Sequence, residues 1–238
     1  MKTRVWMTIL LLCMSAAAFC GNKQTALSQW VAGTIVSADD IESFGIENCF
    51  VAENISDTVF SRMWKKSYKQ NCTIPRSQLR YLKVLHRDND GHILLGEMVC
   101  NQRIANDLLE IFRELYEASY PIERMVLVDE YDADDESSMS HNNTSCFNFR
   151  TVSGTQKLSA HARGMAVDIN TLYNPYYRPR NKRAPLIEPA NGKPYLNRNA
   201  LFPYKIVKGD LCHRLFVKHG FTWGGSWRSC KDYQHFEK

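Results

Sequence analysis

Ser159-Ala-His161-Ala-Arg-Gly164-Met-Ala166-Val-Asp168-Ile-Asn170 sets an imidazole and a carboxylate seven residues apart, with a glycine and an alanine between them. The segment Ala166-Val167-Asp168-Ile169 alternates and reads as a strand. On such a strand Ala166 and Asp168 face one way, Val167 and Ile169 the other. His161 falls in the loop leading in, and Gly164 lets that loop bend back without a Cβ clash. One imidazole and one carboxylate make half a metal site.

The other half lies in Trp223-Gly-Gly225-Ser-Trp227-Arg-Ser-Cys-Lys-Asp232-Tyr-Gln-His235-Phe-Glu237, where an acid and a second histidine stand three residues apart. A set of His161, Asp168 and His235 leaves one tetrahedral position of Zn²⁺ open for water. Asp232 is placed to take and return a proton. The flanking Val167 and Ile169 argue that Asp168 points into a buried place, where an unpaired carboxylate is costly and a metal removes the cost. No nucleophile elbow surrounds Ser159 or Ser226. Ser159 is expected to hydrogen-bond beside His161. Trp223 and Trp227 read as core, packed against a tight glycine turn. His86, His92, His141, His213 and His219 read as surface or satisfied histidines in turns and on helix faces.

The pattern S-x-H-x-x-G-x-A-x-D, followed by W-G-G-x-W and D-x-x-H-F, resembles the zinc D-alanyl-D-alanine carboxypeptidase and L-alanyl-D-glutamate endopeptidase family. Those enzymes cut bacterial cell-wall stem peptides and share a fold with the vancomycin-resistance D,D-dipeptidases and the Hedgehog signalling domain. The resemblance runs from about Met125 onward. It implies an α+β, Hedgehog/D,D-peptidase-like fold, a small antiparallel sheet flanked by helices. It makes His161, Asp168 and His235 the ligands of a Zn²⁺ cofactor and Asp232 the general base and acid; on the reading of the residues themselves, Ser159, Gly164 and Trp223 support them. Two positions depart from the family pattern. Gln234 stands where a proline often precedes the last histidine, and no Tyr-Arg-Ser turn lies upstream. Arg150, in Thr144-Ser-Cys-Phe-Asn-Phe-Arg150, is the nearest candidate for the arginine that clamps substrate and steadies an oxyanion. The implied reaction is amide hydrolysis in peptidoglycan stem peptides, of the D,D-carboxypeptidase or L-Ala-D-Glu endopeptidase type. A non-catalytic, zinc-containing wall-binding module of the same fold is the competing reading. Asp232 favours the enzyme, because a binder has no need of it.

Composition sets the remaining bounds. A chain of 238 residues, 44% hydrophobic and 23% charged, suits one globular domain with a proper core, or one domain with an extension. Basic Met1–Arg4, apolar Val5–Met14 and small Ser15–Ala18 read as a secretory signal peptide over residues 1–18, so export to the periplasm or envelope is expected. Cys20 offers an alternative, a lipid anchor to the membrane, but Phe19 before it fits that signal poorly. Losing Lys2 and Arg4 with the leader lowers the formal charge from +5 to +3, with no long basic run. Nucleic-acid binding is therefore not expected, whereas a carboxylate-bearing peptide suits a mildly positive surface. A monomer is expected. Beyond the leader, Cys49, Cys72, Cys100, Cys146, Cys212 and Cys230 permit up to three disulfides or serve as small buried thiols. They form no C-x-x-C.

Along the chain, residues 19–43 read as a polar tether, 44–124 as a helical and hairpin part, and 125–238 as the zinc peptidase core. Ser56–Tyr68 and a short stretch after Pro75 are expected to be helical. Val84–Leu85 and Ile93–Val99 are expected to pair as a hairpin around Asp88-Asn-Asp-Gly91. That turn lacks the distal glutamate of a calcium loop. Asn101–Ser119 reads as an amphipathic helix capped by Asn101 and stopped by Pro121. Met125–Val128 reads as a buried strand, and Asp129–Glu136 as a solvated acidic loop. Tyr173–Arg183 is too proline-punctuated for regular structure and reads as a surface loop or a rim of the cleft. Asp210–His219 reads as a last helix, capped by Asp210 and ended by Gly220.

Overall fold

A long antiparallel hairpin is the spine of the fold. In the computed structural model, which describes residues 26–152 and 155–238, a four-stranded sheet has the order β1 (Ile35–Val36), β4 (Ile93–Asn101), β3 (Leu79–Arg87), β2 (Val51–Asn54). The pairing of β3 with β4 runs from Leu79 opposite Asn101 to Arg87 opposite Ile93, closed by the expected Asp88–Gly91 turn. The Asp88 carboxylate caps that turn by accepting from the N–H groups of Asp90 and His92. Almost every residue of β4 is buried, as befits a central strand covered on both faces. The signal segment, Cys13 and Cys20 lie outside the described residues.

The segment read as a tether is folded from residue 26 onward. Leu27 and Trp30 are buried, and the Trp30 indole N–H donates to the Gly96 carbonyl at 2.8 Å. Ser37 and Asp40 form a capping box that starts α1 (Ala38–Phe44). Ser56 caps α2 (Asp57–Met63), which stops five residues before Tyr68. After Pro75 a single 3₁₀ turn, Arg76–Gln78, leads straight into β3, so the strand begins earlier than its apolar pattern suggests.

The amphipathic helix α3 (Ala105–Glu117) buries Leu108, Ile111, Phe112, Leu115 and Tyr116. Asn101 does not cap it. Its side chain accepts from Arg103 N and donates to the Arg163 carbonyl instead. The stretch Met125–Val128 is buried but joins no strand ladder, giving single bonds such as Glu97 N to Met125 O. The acidic run beyond it is structured: Asp134 caps α4 (Asp135–Ser140), and buried Asp129 accepts from Ser67 N and Oγ.

Two three-stranded sheets complete the fold, with orders β5 (Ala166–Asp168), β10 (His235–Glu237), β8 (Thr222–Trp223) and β7 (Arg183–Glu188), β6 (Tyr176–Arg180), β9 (Lys231–Asp232). The proline-rich Tyr173–Arg183 stretch is thus half of a hairpin. Pro179 is tolerated because the register shifts there, between Arg178 and Arg180. Asp210 caps α5 (Leu211–Lys218) by accepting from His213 N, and Gly220 (φ +82°) follows its end. Phe216 of α5 meets Phe112 edge-on at 6.5 Å and stacks on Phe236 at 4.3 Å, joining the large helix to the last strand. The architecture is α+β, with small antiparallel sheets and flanking helices.

The six described cysteines outside the leader are free thiols, and burial pushes Cys49, Cys100, Cys146 and Cys212 above the ordinary thiol range. His86 is not a surface histidine. It is buried on β3, its Nδ1 2.7 Å from the Ile122 carbonyl and its Nε2 without a partner. Burial lowers its pKa to about 4, below the unfolded value near 6.5. Between those pH values the unfolded chain binds a proton that the folded one refuses, so stability falls as pH drops through this window. We expect urea titrations at pH 7.5 and 4.5 to show His86→Gln losing roughly 2 kcal/mol less than the parent over that interval. Equal losses would exclude His86 as a source of acid lability.

Candidate metal centre

The register of two short strands builds the centre. β10 pairs antiparallel with β5 so that His235 lies directly opposite Asp168, with Phe236 opposite Val167 and Glu237 opposite Ala166. On its other side Asp168 exchanges both backbone hydrogen bonds with Ser145. His161 enters from a 3₁₀ turn, His161–Arg163, whose first N–H groups are steadied by Ser159 Oγ accepting from Ala162 N. Gly164 closes that turn at φ +64°. A Cβ there would lie 2.7 Å from Asn101 N, because the Gly164 carbonyl accepts from Asn101 N at the end of β4. Gly164 is thus required by both the backbone angle and the close approach.

The three side chains converge. His161 Nε2 is 3.2 Å from His235 Nδ1 and 3.2 Å from Asp168 Oδ2, and His235 Nδ1 is 3.0 Å from Asp168 Oδ1. All three residues are buried. The outer ring nitrogens are occupied: His161 Nδ1 faces the Cys146 carbonyl at 2.7 Å, and His235 Nε2 faces Glu237 Oε2 at 3.3 Å. Those acceptors hold the outer N–H groups, so in the neutral rings both inward nitrogens present lone pairs. Two lone pairs and a carboxylate facing one another in a dry interior call for a cation. The electrostatics show the same demand for positive charge, which a proton on His235 meets where no ion is bound. Burial alone would raise the Asp168 pKa, yet the two imidazoles hold it well below the usual carboxylate range. Burial alone would lower that of His235, yet Asp168 and Glu237 raise it to about 10.

The donor set fits zinc. Three ligands each about 2.0–2.1 Å from an ion in tetrahedral geometry lie about 3.3 Å apart, close to the separations found here. Two nitrogens and one oxygen suit zinc better than calcium or magnesium, which prefer all-oxygen shells. Asp88, Asp90 and His92 also bring ligand-type atoms within 4.8 Å of one another, but that group lies at the surface in the β3–β4 turn, where the Asp88 carboxylate is already occupied.

Asp232, on β9, lies beside this cluster. A Cβ on Gly224 would meet Asp232 Cβ at 2.8 Å and His235 Cβ at 3.3 Å, so a glycine is what lets the two pack together. Asp232 Oδ1 is buried without a hydrogen-bond partner. Burial, with repulsion from Asp168, lifts its pKa to about 7 against the opposing pull of His235 and His161. Trp223 is core: its indole N–H donates to the Tyr233 carbonyl and its ring stacks on Phe236. Trp227 is only half-buried, its ring 5.3 Å from that of His235, and so borders the site. Arg150 is engaged elsewhere, in an ion pair with Asp135, although its carbonyl accepts from Ser159 N.

Residues 153–238 match the model of a peptidase family described as D-alanyl-D-alanine carboxypeptidase. The similarity spans His161, Asp168, Asp232 and His235. It stops short of Arg150 and leaves residues 1–152 unmatched. No curated protein and no solved structure matches the chain.

Two contacts at the centre escaped the sequence reading. The Cys146 carbonyl leaves no mark in sequence, being a backbone group. Glu237 did leave one: two residues from His235 on a strand, it must share that histidine's face. We expect Gly164→Ala to cost about 1–3 kcal/mol in urea unfolding. Gly91→Ala (φ +84°, with nothing within 4 Å of the added carbon) is the control for the backbone angle alone. A loss at Gly164 no larger than that at Gly91 would remove the close approach from the account.

Proposed function

We propose that this protein is a zinc-dependent peptidase of the cell envelope that hydrolyses amide bonds in peptidoglycan stem peptides, as a D,D-carboxypeptidase or an L-Ala-D-Glu endopeptidase. The observation that carries the reading is the closure of His161, Asp168 and His235 to separations of 3.0–3.2 Å, with Asp232 packed beside them. The family match over the same residues supports it, as does the leader-like N-terminus.

His161, Asp168 and His235 would hold the ion, and the Cys146 carbonyl and Glu237 would orient the two rings. Zinc bound there supplies a Lewis acid that eases deprotonation of water and polarises a carbonyl. Asp232 accepts the proton of the attacking water and delivers it to the departing amine, a role suited to a carboxylate with a pKa near 7. Its unpartnered Oδ1 leaves an acceptor free for that proton. Trp227 walls the side of His235. Arg150, held by Asp135, would need to exchange that partner before clamping a substrate carboxylate.

Elemental analysis of the purified protein should find about one zinc per chain, lost in His161→Ala. Asp232→Ala should retain the metal while turnover of muropeptides, followed by mass spectrometry, falls by about 10²–10⁴. Metal bound with no cleavage by the parent protein would point to a wall-binding module instead. Full turnover in Asp232→Ala would overturn the proton-transfer assignment.

A further inference from the structure

The β6–β7 hairpin is hydrogen-bonded to the strand that carries Asp232: Tyr176 lies opposite Asp232 and Tyr177 opposite Lys231. Beyond that pairing it carries Arg178, Arg180, Lys182 and Arg183, all exposed. None of these four side chains has a hydrogen bond or ion pair among the described residues. Arg180 and Arg183 stand opposite each other across the hairpin end, with Lys182 between them at φ +56°. Like charges directly opposite on paired strands are destabilising, and lysine gains nothing from a left-handed backbone angle. The hairpin's one acid, Glu188, is at its base, where burial and the nearby Glu136 and Asp135 raise its pKa and Arg150 and Arg180 pull it down. A solvated surface would interleave acids with these cations; here the hairpin sets four cations against the single Glu188, on an arm paired to the strand that carries Asp232.

We propose that this arm docks the carboxylates of an extended peptide substrate at a distance from the bond being cut. The inference rests on the peptidase reading and names the part of the substrate that gives specificity. At about 3.3 Å per residue, Arg180 is about 13 Å along β6 from the position opposite Asp232. A substrate of one or two residues therefore does not reach the cluster, whereas a cross-linked or multiply carboxylated stem peptide does. With Arg150 held by Asp135, the arm offers cations that have no ion-pair partner on a hairpin paired to β9.

The test compares the mature protein with a variant carrying Arg178→Gln, Arg180→Gln, Lys182→Gln and Arg183→Gln. On a cross-linked stem-peptide dimer at low salt, KM should rise about tenfold in the variant with kcat retained. The difference should close at high salt, where exposed charges are screened. On a capped dipeptide spanning only the scissile bond, the two proteins should share one KM. Equal KM values on the dimer, or an equal rise on the dipeptide, would overturn the proposal. Binding to poly-L-glutamate and to inorganic polyphosphate, measured without any cleavage, separates this failure from that of the peptidase reading. Binding of poly-L-glutamate by the parent alone supports the arm even if no wall peptide is cut. Equal binding of poly-L-glutamate by both proteins, or preference of the parent for polyphosphate, overturns the carboxylate assignment.

Discussion

The register between β10 and β5 is the constraint on which the centre depends. Side chains on paired strands alternate with a period of two, so a slip of one residue would turn His235 to the opposite face from Asp168. These strands are three residues long and cannot hold register by ladder bonds alone. Phe236, fully buried between Phe216 and Trp223, fixes it by packing. Burying that ring forces its neighbours His235 and Glu237 to the other side, where one imidazole nitrogen meets Asp168 and the other meets Glu237. A hydrophobic side chain thus decides where two polar ones point.

The second imidazole is set by a different device. His161 is on a single turn with little stability of its own, and the turn is clipped to the end of β4 through Gly164, Arg163 and Asn101. Asn148 N also donates to the His161 carbonyl, and Phe147 N to that of Val99, so the loop holding the Cys146 carbonyl is stitched to the same strand. The long hairpin therefore serves the centre without contributing a ligand.

This division explains what could be read from sequence. The ligand-type residues, the glycine between them, the Asp210 cap and the Asp88–Gly91 turn each follow from local chemistry that acts within a few residues. The folded 26–44 segment was missed because its anchor, Trp30 on the Gly96 carbonyl, joins residues 66 apart. The β6–β7 hairpin was missed because Pro179 normally argues against a strand, and only the bulge reconciles the two. The burial of His86 on a strand was hidden for a related reason: it depends on the room left by Gly96 on the neighbouring strand, whose added Cβ would come 2.9 Å from the ring. Arg150 shows the converse, a residue found by position whose guanidinium is taken by Asp135.

The aromatic column from Phe112 through Phe216 to Phe236 crosses the border of the family match. Phe112 belongs to the unmatched part, as does Asp107, which receives the Lys238 ammonium. A fragment cut at that border would keep every ligand candidate yet lay bare a greasy flank where α3 had been. The edge of the family match is therefore no seam in the folded body, because side chains pack and pair across it.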